Sequence, residues 1–194
     1  VLIVDADEEI SASLANKIQE IIERATAPDF VEIPRKNIIF NKWMKASMWW
    51  PDYHIRLFRK GKVVWNNAIH SKPQTEGQGL KLPAEESLAI IHHNYQSVSQ
   101  FIERMNRYSS VQAQELKDQK VAFNWDDLIE KPLGEFLSRF FAQKGYLDGL
   151  HGLALSLLQA FSFLVLYLKL WEVSKFKEEN INLIQLEEEN KKSG

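Results

Sequence analysis

From Gly149 to Leu168 the chain carries no Asp, Glu, Lys or Arg, and the wider stretch from Leu147 to Leu170 is almost wholly apolar, interrupted by His151 and Gln159. A run this long reads as a helix, because every backbone N–H and C=O in an apolar setting must find its partner within the segment. About 20 residues of this kind meet the length needed to cross a bilayer. A helix lying in the membrane interface and a helix packed on the rest of the protein satisfy the same composition. The flanks, Arg139 and Lys144 before and Tyr167, Lys169, Trp171 and Lys175 after, favour a monotopic, interfacial position over a span.

The other end of the chain constrains the rest. Val1-Leu2-Ile3-Val4 is a short run that reads as a fully buried strand, and it turns acidic at Asp5, Asp7, Glu8 and Glu9. A helix is expected from about Ser11, with Leu14, Ile18, Ile21 and Ile22 on one face. A strand running at once into a helix is the α/β pattern, in which ligands collect at the carboxyl ends of strands, and Asp5 and Asp7 sit at such an end. With no methionine at position 1 and a buried strand as its first element, the chain is expected to continue a longer protein.

Phe30 to Phe40 is extended in character and leads to a loop with Trp43, Trp49 and Trp50 before Pro51. Ile55 to Arg59 and Lys62 to Trp65 alternate about Lys60-Gly61 and predict a β-hairpin. Leu88 to Ile91 predicts a strand ending at His92-His93. Ser97-Val98-Ser99-Gln100 then has capping-box spacing. Behind it Phe101, Met105, Tyr108 and Val111 form an apolar stripe beside Arg104 and Arg107. Pro132 is placed in the first turn of a further helix carrying Phe136, Phe140 and Phe141. The tail from Ser174 is a charged, helix-like run.

Composition excludes several functions. An apolar share of 45% over 194 residues supports a real core. A net charge of −2, with lysines and arginines spread along the chain, argues against nucleic acid as the main partner. The absence of cysteine rules out disulfides, thiolate nucleophiles and sulfur-ligated zinc. No secretory signal is visible.

Asp5 and Asp7 lie two apart where the chain leaves a strand, a spacing that lets both meet a hard divalent cation. Mg²⁺ and Mn²⁺ take oxygen ligands and keep places for water or substrate phosphates, so the chemistry implied is a Lewis acid clamped on a diphosphate leaving group. A solvated acidic loop has the same spacing, and Asp-x-Asp alone does not choose. Trp43, Trp49 and Trp50 can stack on an acceptor sugar or head group, or form core. His92 and His93 read as satisfied structural histidines. Arg104 and Arg107 face either anionic lipid or solvent.

Taken in order, Val-Leu-Ile-Val-Asp5-Ala-Asp7-Glu8, Trp49-Trp50-Pro51-Asp52, Ile55-Arg56-Leu57-Phe58-Arg59-Lys60-Gly61, Trp65 with His70, His92 and Tyr95, Asn106-Arg107-Tyr108, Lys144-Gly145-Tyr146-Leu147-Asp148-Gly149 and Lys169-Leu170-Trp171-Glu172 resemble bacterial family 2 glycosyltransferases. The nearest likeness is to the lipopolysaccharide-core β-glucosyltransferase branch, over most of residues 1 to 172. The resemblance implies the C-terminal part of a GT-A (Rossmann-like) domain over residues 1–95. A helical, membrane-associated region over 96–173 and a charged helical tail over 174–194 follow it. It implies an inverting, metal-dependent hexosyl transfer from a UDP-sugar to a saccharide or lipid-linked acceptor, at the cytoplasmic face of a bacterial inner membrane. Asp5, Asp7, Arg56 and Arg59 would serve the donor, and Asp7 with His70 the Mg²⁺ or Mn²⁺. Asp52 would take the acceptor's proton, and Trp49 and Trp50 would meet the acceptor.

The chain departs from the pattern at Ser47-Met48, where such proteins often carry a glycine before the Trp-aromatic-Pro segment, and in lacking the donor-binding half that would precede Val1. The isolated fragment is therefore expected to be inactive. Two alternatives differ in class. One is a non-catalytic, membrane-associated binding or scaffolding fragment. The other is a haloacid-dehalogenase-type phosphatase, which also presents Asp-x-Asp but usually follows it with Gly-Thr, where Glu8-Glu9 stands here.

Overall fold

Alternate apolar and β-branched positions make Phe30–Ile39 a strand with one side inward, and in the computed structural model it is the ten-residue centre of a mixed sheet. The structure describes residues 1–65 and 73–192, with side chains as far as residue 175. The strands are β1 (Glu8–Ile10), β2 (Phe30–Ile39), β3 (Lys42–Trp43), β4 (Asp52–Phe58), β5 (Val63–Val64), β6 (Gln74–Thr75), β7 (Gly79–Lys81) and β8 (Ile90–Tyr95). The helices are α1 (Ala12–Glu23), α2 (Val98–Asp118), α3 (Asp127–Leu137) and α4 (Leu150–Lys192). The chain divides into two units, Val1–Ser97 and Val98–Gly194.

In the first unit one edge of β2 pairs antiparallel with β4 and, after a turn through Phe40 and Asn41, with β3. Both turn residues have positive φ, the backbone that matches a tight hairpin to the sheet twist. The other edge pairs parallel with β7 and then β8, and β1 lies antiparallel on the far side of β8. Leu2 bridges Leu57 of β4, with Ile3 N–H donating to the Arg56 carbonyl and Phe58 N–H to that of Val1. The first three residues thus run beside β4, in the same direction as β2. The Val4–Asp7 link has to cross from there to β1, past β4, β2 and β8.

Ser11 caps α1, its hydroxyl accepting from Leu14 N–H at 3.1 Å. The helix buries Leu14, Ile18 and Ile21 against Val31, Ile33, Leu57, Leu82 and Ile90. Beyond the reach of α1 the same sheet face turns polar on every strand. Val31 and Ile33 give way to Arg35 and Asn37 on β2, Ile90 to His92 on β8, Ile10 to Glu8 on β1, and Leu57 to His54 and Asp52 on β4. Because β2 and β8 are parallel, this polar half lies at their carboxyl ends.

Four expectations are corrected here. Val1–Val4 is not a fully buried strand: Val1 is 61% exposed, because the segment has β4 on one side and no partner on the other among the described residues. Ile22 is 60% exposed, one position past the stripe that faces the core. The β4/β5 hairpin does not form, since β2 and the Leu2 segment occupy both edges of β4, and β5 pairs β6 instead. The strand expected at Leu88–Ile91 begins later, after a 3₁₀ turn at Glu86–Leu88, so His92 and His93 lie inside β8.

The second unit is helical, with α4 packed on α2 and α3. The buried stripe of α2 is Phe101, Met105, Ser109 and Ala113, whereas Tyr108 and Val111 of the expected stripe are exposed. The small residues let α4 approach, and Lys169 Nζ reaches the Asn106 carbonyl and the hydroxyls of Ser109 and Ser110. Helix α3 begins at Asp127 rather than at Pro132, which lies inside it; N–H groups of residues 128–130 are satisfied by the carbonyls of Trp125 and Asp126. A π-helical turn (Ser138–Ala142) and a 3₁₀ turn (Gly145–Asp148) precede α4. The portion Leu150–Lys175 holds an 18-residue window of mean hydropathy 1.9, is long and apolar enough to cross a membrane, and has 22% of that window buried. One backbone carries α4 on to Lys192.

Candidate functional site

The polar half of the sheet face gathers most of the residues singled out in the sequence, together with several that were not. Asp52, first on β4, is the hub. Its Oδ2 accepts from Arg35 Nε at 3.0 Å, Arg35 Nη2 at 2.7 Å and Asn37 Nδ2 at 3.1 Å, while Oδ1 lies 2.9 Å from His54 Nε2. Burial works against its charge. The His54 bond, the Arg35 guanidinium and the Asn37 amide outweigh that and hold its carboxyl well below the usual carboxylate range.

A second cluster lies where the Val4–Asp7 link crosses. Glu8 points inward with a fully buried carboxylate, which accepts from Arg56 Nη2 at 2.6 Å, lies 3.5 Å from Arg35 Nη1 and also accepts from Asp5 N–H at 3.1 Å. Arg56 Nη2 donates to Asp5 Oδ2 at 2.5 Å. Burial opposes the Arg56 charge, but Asp5 and Glu8 more than offset it and raise its pKa further. Asp7 stands at the other end of the link. Its carbonyl accepts from His93 N–H at 2.9 Å, and its Oδ2 is 3.7 Å from His92 Nε2. His92 Nδ1 is 2.7 Å from Asn37 Oδ1, which closes the circuit back to Asp52. Burial, then the nearby Arg35 charge, lowers the His92 pKa and favours the neutral ring.

The structure therefore brings Asp5, Asp7, Asp52 and Arg56 into one connected network. Arg59 is apart from it, donating to the Ala27 carbonyl at 3.0 Å and lying 3.9 Å from Asp29. His70, expected beside the metal, lies outside the described residues. Trp50 meets Trp43 edge to face, with centroids 5.2 Å apart, and Lys36 and Lys45 sit over the Trp43 ring at 4.5 and 4.1 Å. The Trp49 carbonyl accepts from Asn37 Nδ2, so the tryptophan loop is tied to the network through its backbone. The indole N–H groups of Trp43 and Trp49 are buried without a hydrogen-bond partner among the described residues.

That loop carries backbone strain at Ser47 and Met48. Ser47 and Met48 have φ of 54° and 64°, the left-handed region that suits glycine; Ser47 is buried, whereas the Met48 side chain is 74% exposed and gains no packing in return.

Sequence reading missed Glu8, Arg35, Asn37 and His54, and gave His92 only a structural role. The available signal was a strand whose inward positions change from Val31 and Ile33 to Arg35 and Asn37, an alternation no purely structural strand needs. Among the described residues no group of three or more His, Asp or Glu side chains converges as a complete metal cage. The donor set present is the half-buried Asp7 carboxylate near the His92 imidazole. That fits a Mg²⁺ or Mn²⁺ site of the kind that takes one or two protein ligands and fills the rest with water and phosphate oxygens.

Comparison with known proteins gives a consistent picture. The chain is 28% identical over 189 residues to an uncharacterized glycosyltransferase of Rickettsia typhi, covering 93% of this chain and 64% of that protein. Uncharacterized glycosyltransferases of Rickettsia conorii and Rickettsia prowazekii are 25% and 27% identical over the same length, with 67% and 64% of their chains covered. The chain thus spans about two thirds of the length of the curated relatives it matches. No family profile matches it, and no solved structure does. Its mixed α/β sheet and long C-terminal helix are consistent with a glycosyltransferase-like domain.

Proposed function

We propose that this protein is a glycosyltransferase of family 2 and GT-A type that transfers a hexose, with inversion, from a UDP-sugar to a saccharide or lipid-linked acceptor. The observation that carries the reading is the Asp5-Ala6-Asp7 link crossing the carboxyl ends of β2 and β8 and joined through Arg56, Glu8 and Arg35 to Asp52. The glycosyltransferase names of the relatives support it.

In this reading Asp7 holds a Mg²⁺ or Mn²⁺ ion, and the cation supplies Lewis-acid stabilisation of the departing diphosphate. Asp5, tied to Arg56, faces the nucleotide side, and the Arg56 guanidinium, its charge secured by two carboxylates, adds positive potential beside the diphosphate. Arg59 has no place in this donor site. Asp52 takes the proton of the acceptor hydroxyl as it attacks the anomeric carbon. The tryptophan loop, fixed by Asn37, offers Trp49 and Trp50 as the acceptor surface.

The acceptor side is membrane-linked. On α3 and the π-helical turn after it, Ile129, Leu133, Leu137 and Phe141 recur every fourth residue and are exposed, as are Leu150, Leu157, Phe161 and Leu168 on α4. This apolar surface exceeds what a water-facing helix pair needs, and it fits a helical region lying in the cytoplasmic leaflet of a bacterial inner membrane.

The test is transfer of labelled hexose from UDP-glucose and UDP-galactose to lipopolysaccharide or lipid-linked saccharide, by the full-length protein that carries this chain, as wild type and as Asp7→Ala. Loss of at least about a hundredfold in rate is expected for the variant if the cation's charge stabilisation is removed. Transfer by Asp7→Ala at the wild-type rate would end the metal assignment.

A further inference from the structure

We infer that the helical unit carries a site for the phosphate of an anionic phospholipid, in a cavity between the end of α2 and α4; the inference rests on the membrane-associated reading above. The cavity has a volume of about 350 Å³. Lys117, Lys120, Val121 and Phe123 line it from the end of α2 and the loop that follows, and Ser174 and Lys175 line it from α4. No Asp or Glu lines it. Lys117 Nζ donates to the Val173 carbonyl, which holds the two walls together. Among the described residues Lys120 and Lys175 make no ion pair, so their charge is open to an anion from outside.

The placement of Lys120 points the same way. It closes α2 with a φ of 60°, and Val121 N–H donates to the Leu116 carbonyl at 3.0 Å, the bonding of a helix end that glycine or asparagine ordinarily fills. A lysine there is strained, and what the strain achieves is an ammonium group at the cavity.

The course of α4 says what the cavity meets. Its exposed apolar residues among those described are Leu150, Leu157, Phe161 and Leu168, spaced so that they share one face. The next position on that face is Lys175, roughly 10 Å further along the axis. A face that is apolar and then basic leaves the acyl layer for the headgroups at this point. Exposed aromatic rings mark the same level: Trp125 is 64% exposed, with its centroid 5.3 Å from that of Phe123 and 6.3 Å from that of Trp171. The lining suits a headgroup at that depth. The ammonium groups and the Ser174 hydroxyl meet the phosphate oxygens, and Val121 and Phe123 meet the glycerol and upper acyl carbons.

The experiment is sedimentation of the full-length protein that carries this chain with vesicles of phosphatidylcholine, alone and mixed with phosphatidylglycerol. It compares wild type, Lys120→Gln/Lys175→Gln and an equal charge change in the first unit, Lys17→Gln/Lys60→Gln. Lys117 is left in place because it holds α2 to α4. The Lys120/Lys175 pair should weaken binding to the mixed vesicles about thirtyfold, roughly fivefold for each lysine, against less than about threefold for the control pair. Binding to phosphatidylcholine alone should not change. A second measurement needs no variant: amide spectra of the wild type with dihexanoyl phosphatidylglycerol, dihexanoyl phosphatidylcholine or inorganic phosphate, each short of micelle formation. Only phosphatidylglycerol should move the amides of residues 120–123 and 174–175. The site is overturned if the Lys120/Lys175 pair loses no more than the control pair, or if inorganic phosphate moves those amides as strongly as phosphatidylglycerol does. Wild type that binds both kinds of vesicle equally removes the site and leaves the membrane reading standing. Wild type that binds neither removes both.

Discussion

Asn37 joins the three parts of the site, and its removal measures how much the network is worth. The side chain is wholly buried, donates from Nδ2 to the Trp49 carbonyl and Asp52 Oδ2, both at 3.1 Å, and accepts at Oδ1 from the His92 ring at 2.7 Å. In Asn37→Ala, the buried His92 Nδ1 and the part-buried Trp49 carbonyl both lose this partner, at about 1–3 kcal/mol each. Asp52 keeps Arg35 and His54 and adds little. A net loss of about 3 kcal/mol follows, which for a chain of this size lowers the melting midpoint by about 6–12 °C. Circular dichroism melts check it. Repeating the change in an Asp52→Asn background should show a coupling of about 1 kcal/mol between the two sites. A midpoint within 1 °C of wild type would refute the linking role of Asn37.

Three further outcomes are expected. Met48→Gly removes a left-handed methionine, which outweighs glycine's added unfolded-state entropy, and should raise stability by about 0.5–1 kcal/mol in urea titrations. Gly152→Ala should destabilise the helical unit by about 3 kcal/mol in the same measurement, because a Cβ there would stand 1.8 Å from the Gly145 carbonyl oxygen. Asp52 makes stability acid-sensitive. Its folded pKa lies below its ordinary value of 3.8, so its contribution is complete above that value and is lost as pH falls towards the folded one. The slope of stability against pH below 4 should therefore be shallower in Asp52→Asn.

The sequence disclosed the first unit's core and half of its site. Leu14, Ile18 and Ile21 could be read as a buried stripe because helical spacing alone produces one, and Ser11 could be read as its start from its capping chemistry. The partner of β4 could not be read. Alternation within Ile55–Arg59 states that a strand exists, but not that β2 and the Leu2 segment would fill both its edges. Asp5, Asp7, Asp52 and Arg56 were legible because they belong to recognisable stretches. Glu8, Arg35, Asn37 and His54 were not, since their role arises from parallel pairing of β2 with β8 between residues more than fifty apart in the chain. In the second unit the apolar run was unmistakable, whereas the α2 face was misplaced because Ser109 and Ala113 are buried for their small size rather than their hydrophobicity.

In the proposed site the Asp5–Asp7 link and the end of β8 hold the cation and the diphosphate. Titration of ¹⁵N-labelled protein with Mn²⁺ and UDP tests it most directly, because the paramagnetic ion broadens amide signals near its site. Broadening is expected to begin at residues 5–8 and at His92 and His93, to require both Mn²⁺ and UDP for full effect, and to be lost in Asp7→Ala. Broadening that leaves those amides untouched, or that persists unchanged in Asp7→Ala, would contradict it.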